Sequence, residues 1–415
     1  MTRIKLFALL FSITFLSFQS IAQDDVKVEV VKLTDNIYKL VSTTNLEVNL
    51  LAFTGPDGVL LVDDGQGGAS EKIMEAIRKF SKGEIKYVIN THFHLDHTGG
   101  NQFFGKTATI IGHKNVRHRM TGGISILLET PDEALPTLIV DSEITLHYNG
   151  EEIRVIHLSG GHTDGDLIVH FTKSNIVAMG DLLFSDRFPF VDTNNSGNLH
   201  IYAKNIKKAY SMFTEDTKFI AGHGREYSVA DMKNYYKLMT ETAELVKKGL
   251  DNGRTADEMK KSKILEKWSE WGTGFITQDT WIDAIVTSYS TKEAIELESV
   301  VVPLFFTMKE KNIKAAVLQF HELKKTHSKE YNFSEAHLNF FGYYLLGKER
   351  FTDAIEIFKL NVEENPGSSN VYDSLGEGYM MNGDIKLAKK NYNLSLKLNP
   401  NNQNAKDMLK KLKKM

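Results

Sequence analysis

Short apolar or alternating runs open the chain: VKVEVVKL from Val26, NIYKLVS from Asn36, VNLLAFTG from Val48 and GVLLVDDG from Gly58. Turn residues such as Gly55-Pro56-Asp57-Gly58 part them, so the pattern predicts strands. From Ala69 to Phe80 the apolar positions take helical spacing, and Lys86 to Asn90 predicts a strand that runs straight into THFHLDHTGG. A second cycle follows, with strand TATIIG, a helix, a loop over Thr121 to Pro136, and strands SEITLHY, EIRVIHLS, DLIVHF and NIVAMGD. A helix from Ala203 to Phe213, strand TKFIAGH and a long helix from Val229 to about Gly249 complete it. Strands and helices alternating in two similar halves imply a layered α/β fold.

The tail follows another rhythm. Shifting the chain by 34 residues sets Phe341-Gly342 on Leu375-Gly376, Ala354 on Ala388, Phe358 on Tyr392 and Pro366 on Pro400. This helix-turn-helix period resembles tetratricopeptide repeats, with Ala316 to Phe320 as a degenerate first copy. Such an all-α tail serves either as a helical cap or as a peptide-binding groove. The expected division is residues 1–22, 23–294 and 298–415.

Residues 1–22 carry a basic start at Arg3 and Lys5, an apolar run from Leu6 to Phe18 and the triplet Ser20-Ile21-Ala22. That is the layout of a signal peptide cut after Ala22. The run is shorter than the roughly 20 residues a bilayer span needs, which argues against a stable membrane anchor. A periplasmic or secreted protein is therefore expected. With 50 Lys and Arg against 53 Asp and Glu, the chain lacks the basic excess of a nucleic-acid binder. At 41% hydrophobic among 415 residues it has material for more than one core. It contains no cysteine, so a metal site would rest on histidine and carboxylate.

The segment His92-Phe93-His94-Leu95-Asp96-His97 packs three histidines and an aspartate into six positions after a strand. Zinc takes imidazole nitrogen and carboxylate oxygen, and a strand end lets such side chains converge. Further chemistry-bearing residues stand on later strand-end loops: His162 in SGGHTDGD, Asp181 in AMGDLLF and His223 in AGHGRE. Together these motifs resemble the metallo-β-lactamase superfamily over about Val26 to Ser290. The resemblance implies an αββα sandwich with two zinc ions at one sheet edge. His92, His94 and His162 would hold the first ion, Asp96, His97 and His223 the second, and Asp181 would bridge them. Two ions sharing a water generate a hydroxide nucleophile near neutral pH, with Asp96 as the catalytic group that orients it or carries its proton. Asp63 in LLVDDG matches a position that supports the ligand histidines from behind. The family's di-iron flavoproteins have a glutamate where this chain has His94, which favours zinc.

A fold shared by hydrolases of β-lactams, thioesters, lactones and phosphodiesters cannot choose a small-molecule substrate. Specialised zinc β-lactamases have Cys or Ser where this chain has Asp181, and so an exported hydrolase of a small ester, lactone or amide is the leading expectation. A true β-lactamase and a repeat-based protein-binding module with a vestigial metal domain are the alternatives. The stretch FSDRFPFVD supplies candidate substrate contacts in Arg187, Phe188 and Phe190, and Arg225 is another. Gly122-Gly123 offers a hinge for a lid over Thr121 to Pro136.

Overall fold

The computed structural model describes residues 26–44, 46–121, 130–290 and 298–413. The expected signal peptide, the Gly122-Gly123 hinge and the boundary near residue 294 lie outside the described residues. No helix among the described residues is long and apolar enough to cross a membrane.

Among the described residues, seven strands form the first sheet in chain order: β1 (Lys27–Lys32), β2 (Ile37–Thr43), β3 (Glu47–Gly55), β4 (Gly58–Val62), β5 (Ile85–Ile89), β6 (Thr109–His113) and β7 (Leu138–Val140). β1 to β4 run antiparallel and β4 to β7 parallel. The second sheet has the order β13-β12-β11-β10-β9-β8. Its strands are β8 (Glu143–Tyr148), β9 (Glu151–His157), β10 (Leu167–Phe171), β11 (Ile176–Ala178), β12 (Lys218–Ile220) and β13 (Glu226–Tyr227). Within the first domain the helices are α1 (Ser70–Arg78), α2 (Leu95–Thr98), α3 (Asn101–Phe104), α4 (Lys114–Thr121), α5 (Leu199–Met212), α6 (Val229–Asp251), α7 (Ala256–Lys261) and α8 (Gln278–Ser290).

The sheets pack face to face. Leu51, Phe53, Leu60, Val62 and Ile89 of the first meet Ile153, Val155, Leu167, Val169 and Phe171 of the second. Helix α1 covers the outer face of the first sheet, where Ile73 and Ile77 lie on Leu50, Ala52, Val59 and Leu61. Helices α5, α6 and α8 cover the second through Tyr202, Ile206, Met239 and Ile285 on Ile156, Ile168 and Val177. The result is the expected αββα sandwich. Being covered on both faces makes the LLAF and VLLV runs apolar at odd and even positions alike.

Helix α5 starts at Leu199, four residues before the expected Ala203, because the Asn198 side chain accepts from the backbone N–H groups of His200 and Ile201 and caps it there. The short edge strands β7 and β13 and the helices α7 and α8 carried no separate sequence expectation.

The tail holds α9 (Val301–Glu310), α10 (Ile313–Thr326), α11 (Glu335–Gly347), α12 (Phe351–Glu364), α13 (Ser369–Met381), α14 (Ile385–Leu398) and α15 (Gln403–Lys413). Its packing is compatible with the repeat reading. Ala316, Ala354 and Ala388 are fully buried, as are Phe320, Phe358 and Tyr392. Gly342 admits the Phe358 ring, and Gly376 admits the Tyr392 ring in the same way 34 residues on. A two-residue parallel ladder, β14 (Glu298–Ser299) with β15 (Tyr331–Asn332), is an addition to the expected helices.

Candidate metal centre

Strand ends of both sheets deliver the donors to one place. β5 leads to His92, β11 to Asp181 and β12 to His223, while His162 precedes β10 and Asp63 follows β4. Chain connection is tight at this edge. A Cβ at Gly222 would run into the Asp181 carboxylate, and Gly180 (φ 50°) would meet the Thr91 side chain. Bare backbone at those two positions lets Asp181 sit between the sheets.

Two groups of donor atoms form. His92, His94, His162 and Asp181 make one, Asp96, His97, Asp181 and His223 the other, each with ligand atoms within 4.8 Å of one another. In the first, His94 Nδ1 lies 3.1 Å from His92 Nε2 and 2.9 Å from His162 Nε2. In the second, Asp181 Oδ1 lies 3.1 Å from His97 Nε2 and 3.3 Å from His223 Nε2, which is also 3.3 Å from Asp96 Oδ2. Asp181 belongs to both. All seven residues proposed from the sequence as metal ligands are thus brought together.

The far nitrogen of each ring is tied down. His162 Nδ1 donates to the Phe190 carbonyl at 2.8 Å, His223 Nδ1 to the Glu47 carbonyl, and His97 Nδ1 to Asp63 Oδ2 at 2.8 Å. His94 Nε2 donates to Asp192 Oδ2 at 2.9 Å, and His92 Nδ1 stands 3.0 Å from Thr91 Oγ1. Since carbonyls and carboxylates only accept, a proton sits on the outer nitrogen and the inner nitrogen is left to face the centre. Asp63 adopts φ 58° and also accepts from Thr91 N and Oγ1 at 2.7 and 2.8 Å, so one carboxylate braces both the motif's backbone and His97.

Electrostatics separate the two groups. Burial, with the neighbouring His94, pushes His162 down to about 4, and burial beside His97 holds His92 well below the usual imidazole value. In the second group burial opposes charge but is outweighed: Asp181 and Asp96 hold His97 well up and raise His223 to about 10. Asp181 and Asp96 are in turn held well below the ordinary carboxylate range, because His223 and His97 override their burial. His97 Nε2 and Asp181 Oδ1 are buried without a hydrogen-bond partner among the described residues. Orphaned inward donors of nitrogen and oxygen type, next to two carboxylates, fit a divalent cation.

Only His94 and Asp96 open outward, each side chain 18% exposed, against 4% or less for His92, His97, His162, Asp181 and His223. Behind His94 a chain of bonds runs outward. Asn195 donates to Asp192, Arg119 donates to Asn195, and Arg119 also grips Asp164 through Nε and Nη2 at 2.7 and 2.8 Å. The sequence reading missed Asp192 and Asn195; no local spacing links them to a histidine some hundred residues earlier. From the tail, His337 on α11 is pushed down by burial and by the charge of Arg119, with Asp192 opposing. Here α11 comes within reach of the site's charges.

The proposed substrate contacts fare unevenly. Phe188 is corrected: it is fully buried, stacked on Trp281 at 5.5 Å, and belongs to the core. Arg225 is corrected as well. Asp186 and Asp231 engage its guanidinium at the surface, over the Tyr227 ring. Arg187 is half-buried, donates to the Ser185 carbonyl and pairs with no carboxylate among the described residues. Phe190 stacks on His94, ring centroids 5.8 Å apart.

The profile of the Metallo-beta-lactamase superfamily matches residues 43–224. Over these residues the chain resembles that superfamily in fold and in donor residues. Curated relatives include a metallo-beta-lactamase of Chryseobacterium indologenes, 26% identical over 153 residues, 37% of this chain and 61% of the relative. A probable metallo-hydrolase of Methanocaldococcus jannaschii is 31% identical over 136 residues, 30% of this chain and 63% of the relative. A hydroxyacylglutathione hydrolase of Pelagibacter ubique is 28% identical over 151 residues, 36% and 55%. The chain therefore spans less than two thirds of the length of these three. Among solved structures, a metallo-beta-lactamase from Pontibacter korlensis aligns at TM-score 0.45 and 18% identity, covering 52% of this chain and 99% of that one.

Proposed function

We propose that the protein is an exported, zinc-dependent hydrolase with two metal ions, cleaving a small ester, lactone or amide. The observation that carries this reading is the pair of donor groups sharing Asp181, seven ligand side chains in which all five rings are held at the outer nitrogen. His92, His94 and His162 would hold one ion, Asp96, His97 and His223 the other, and Asp181 would reach both. Bound zinc supplies Lewis acidity toward a carbonyl oxygen and lowers the pKa of coordinated water toward neutrality.

The chain's own residues do the rest. His94 and Asp96 form the open edge, so substrate approaches across them. Asp96 has its Oδ2 beside His97 and His223 and its side chain at the opening, which suits the carboxylate to orient the attacking water and to take up its proton. Asp63 and Asp192 keep His97 and His94 aimed, so no reorganisation is needed when the substrate arrives. A periplasmic or secreted location is proposed on the signal-peptide layout of residues 1–22. The tail is proposed to cap the enzyme, with a peptide partner as the alternative role.

The test is hydrolysis by zinc-loaded protein of a lactone, a thioester, an aryl ester, a carbapenem and a chromogenic cephalosporin. Turnover of the ester or lactone, abolished by Asp96→Ala, supports the reading. Likeness to a relative named as a beta-lactamase supports a second reading, β-lactam hydrolysis. A kcat/KM above about 10⁴ M⁻¹s⁻¹ on the cephalosporin would put that second reading first.

A further inference from the structure

We infer that Phe190 and Phe275 form an acyl-binding subsite at the open edge of the metal centre, taking the apolar chain or ring of the substrate. The inference rests on the hydrolase reading above and adds the substrate's chemical class: an ester or amide with a bulky apolar acyl group rather than a small polar one.

Three observations meet at this point. The open edge is defined by His94 and Asp96, the donors with exposed side chains. Phe190 borders that edge, its ring stacked on His94 at 26° and set against His162 at 5.5 Å. Phe275 continues the surface, meeting Phe190 edge-on with centroids 5.8 Å apart and planes at 86°. At 74% it is the most exposed large apolar side chain among the described residues. Single exposed apolar residues are ordinary on a protein surface, but one joined through the Phe190 ring to a donor of the metal centre is an extension of that centre.

The position is built rather than accidental. Phe188 N donates to the Trp271 carbonyl at 2.8 Å, which ties the segment carrying Phe275 to the segment carrying Phe190. Phe188, stacked beneath on Trp281, anchors the first segment in the core. A Cβ added at Gly274 would meet the Arg187 Cδ at ordinary contact distance. An acyl chain leaving the centre over His94 passes Phe190 first and reaches Phe275 only if it is long. A two-carbon acyl group stops short, and an eight-carbon one covers both rings. Phe275 lies beyond residues 43–224, so the contact comes from a stretch outside the family match.

The experiment compares zinc-loaded wild type, Phe275→Ala, Phe275→Leu and Leu318→Ala on p-nitrophenyl acetate and octanoate. Leu318 is equally exposed but sits in the tail, so its variant controls for general loss of surface apolar area. Covering one phenyl ring is expected to give wild type a preference for octanoate that falls about tenfold in Phe275→Ala. Phe275→Leu is expected to recover most of it and Leu318→Ala to keep all of it. An unchanged ratio in Phe275→Ala overturns the subsite. Calorimetric binding of free octanoate and free acetate gives a readout that needs no turnover. Octanoate binding weakened in Phe275→Ala, with no ester hydrolysed by any form, sinks the hydrolase reading and leaves the subsite standing. Equal octanoate affinity in both proteins, or none in wild type, overturns the subsite whatever the turnover.

Discussion

The two donor groups reach similar compactness by opposite means. In the group of His92, His94 and His162, burial keeps the His92 and His162 rings neutral, and all three rings are aimed by a bond on the outer nitrogen. The group of Asp96, His97 and His223 is built on charge: two carboxylates draw protons onto two imidazoles, and a divalent ion would take the protons' place. Orientation governs the first and electrostatics the second. A donor set therefore cannot be ranked by residue type alone, since the same imidazole is held low in one group and high in the other.

The largest effect should come from breaking what the groups share. Asp181→Ala is expected to lose both zinc equivalents, read by elemental analysis, together with all detectable hydrolysis. Retention of one full equivalent would show that the groups are independent. Next, His94→Ala and Asp96→Ala should each lose turnover and about one equivalent while circular dichroism stays that of wild type. Asp63→Ala and Asp192→Ala remove the outer bonds of His97 and His94. Each should weaken zinc about 10- to 100-fold in a chelator titration, one value from each group. Of the two, Asp63→Ala should also destabilise the fold by about 1–3 kcal/mol, since Thr91 N and Oγ1 lose their acceptor.

The smallest effect concerns burial without carboxylates. His113, stacked on His157 at 3.6 Å, is pushed down to about 4 by burial and by the second ring. The unfolded chain takes up a proton near 6.5 that the folded one refuses, so stability should fall as pH drops from about 6.5 toward 4. His113→Asn should flatten part of that fall in urea titrations. An unchanged slope would place the fall on the other histidines held down by burial, His92, His157, His162 and His170 among them.

Much of this was legible in the chain. The HFHLDH spacing is local, so six consecutive positions state most of a cage, and strand-end placement of His162, Asp181 and His223 follows from runs apolar on both faces. What stayed hidden was made by distance. Asp192 meets His94 from a loop with no periodicity, 98 residues on. Phe188 and Phe190 look equivalent in FPF, and residues two apart in a regular extended segment would share one face, yet here one lies on Trp281 and the other on His94. β7 and β13 are three and two residues long, below what a pattern of alternation can register.

The bonds from His94 through Asp192 and Asn195 to Arg119 give α4 a mechanical hold on the centre. Arg119 sits near the C-terminal end of that helix and is locked to Asp164 by a two-pronged pair. A shift of α4 would travel along three side chains and arrive as a rotation of one imidazole. The aim of a single donor is in this sense written into a helix that supplies no donor at all.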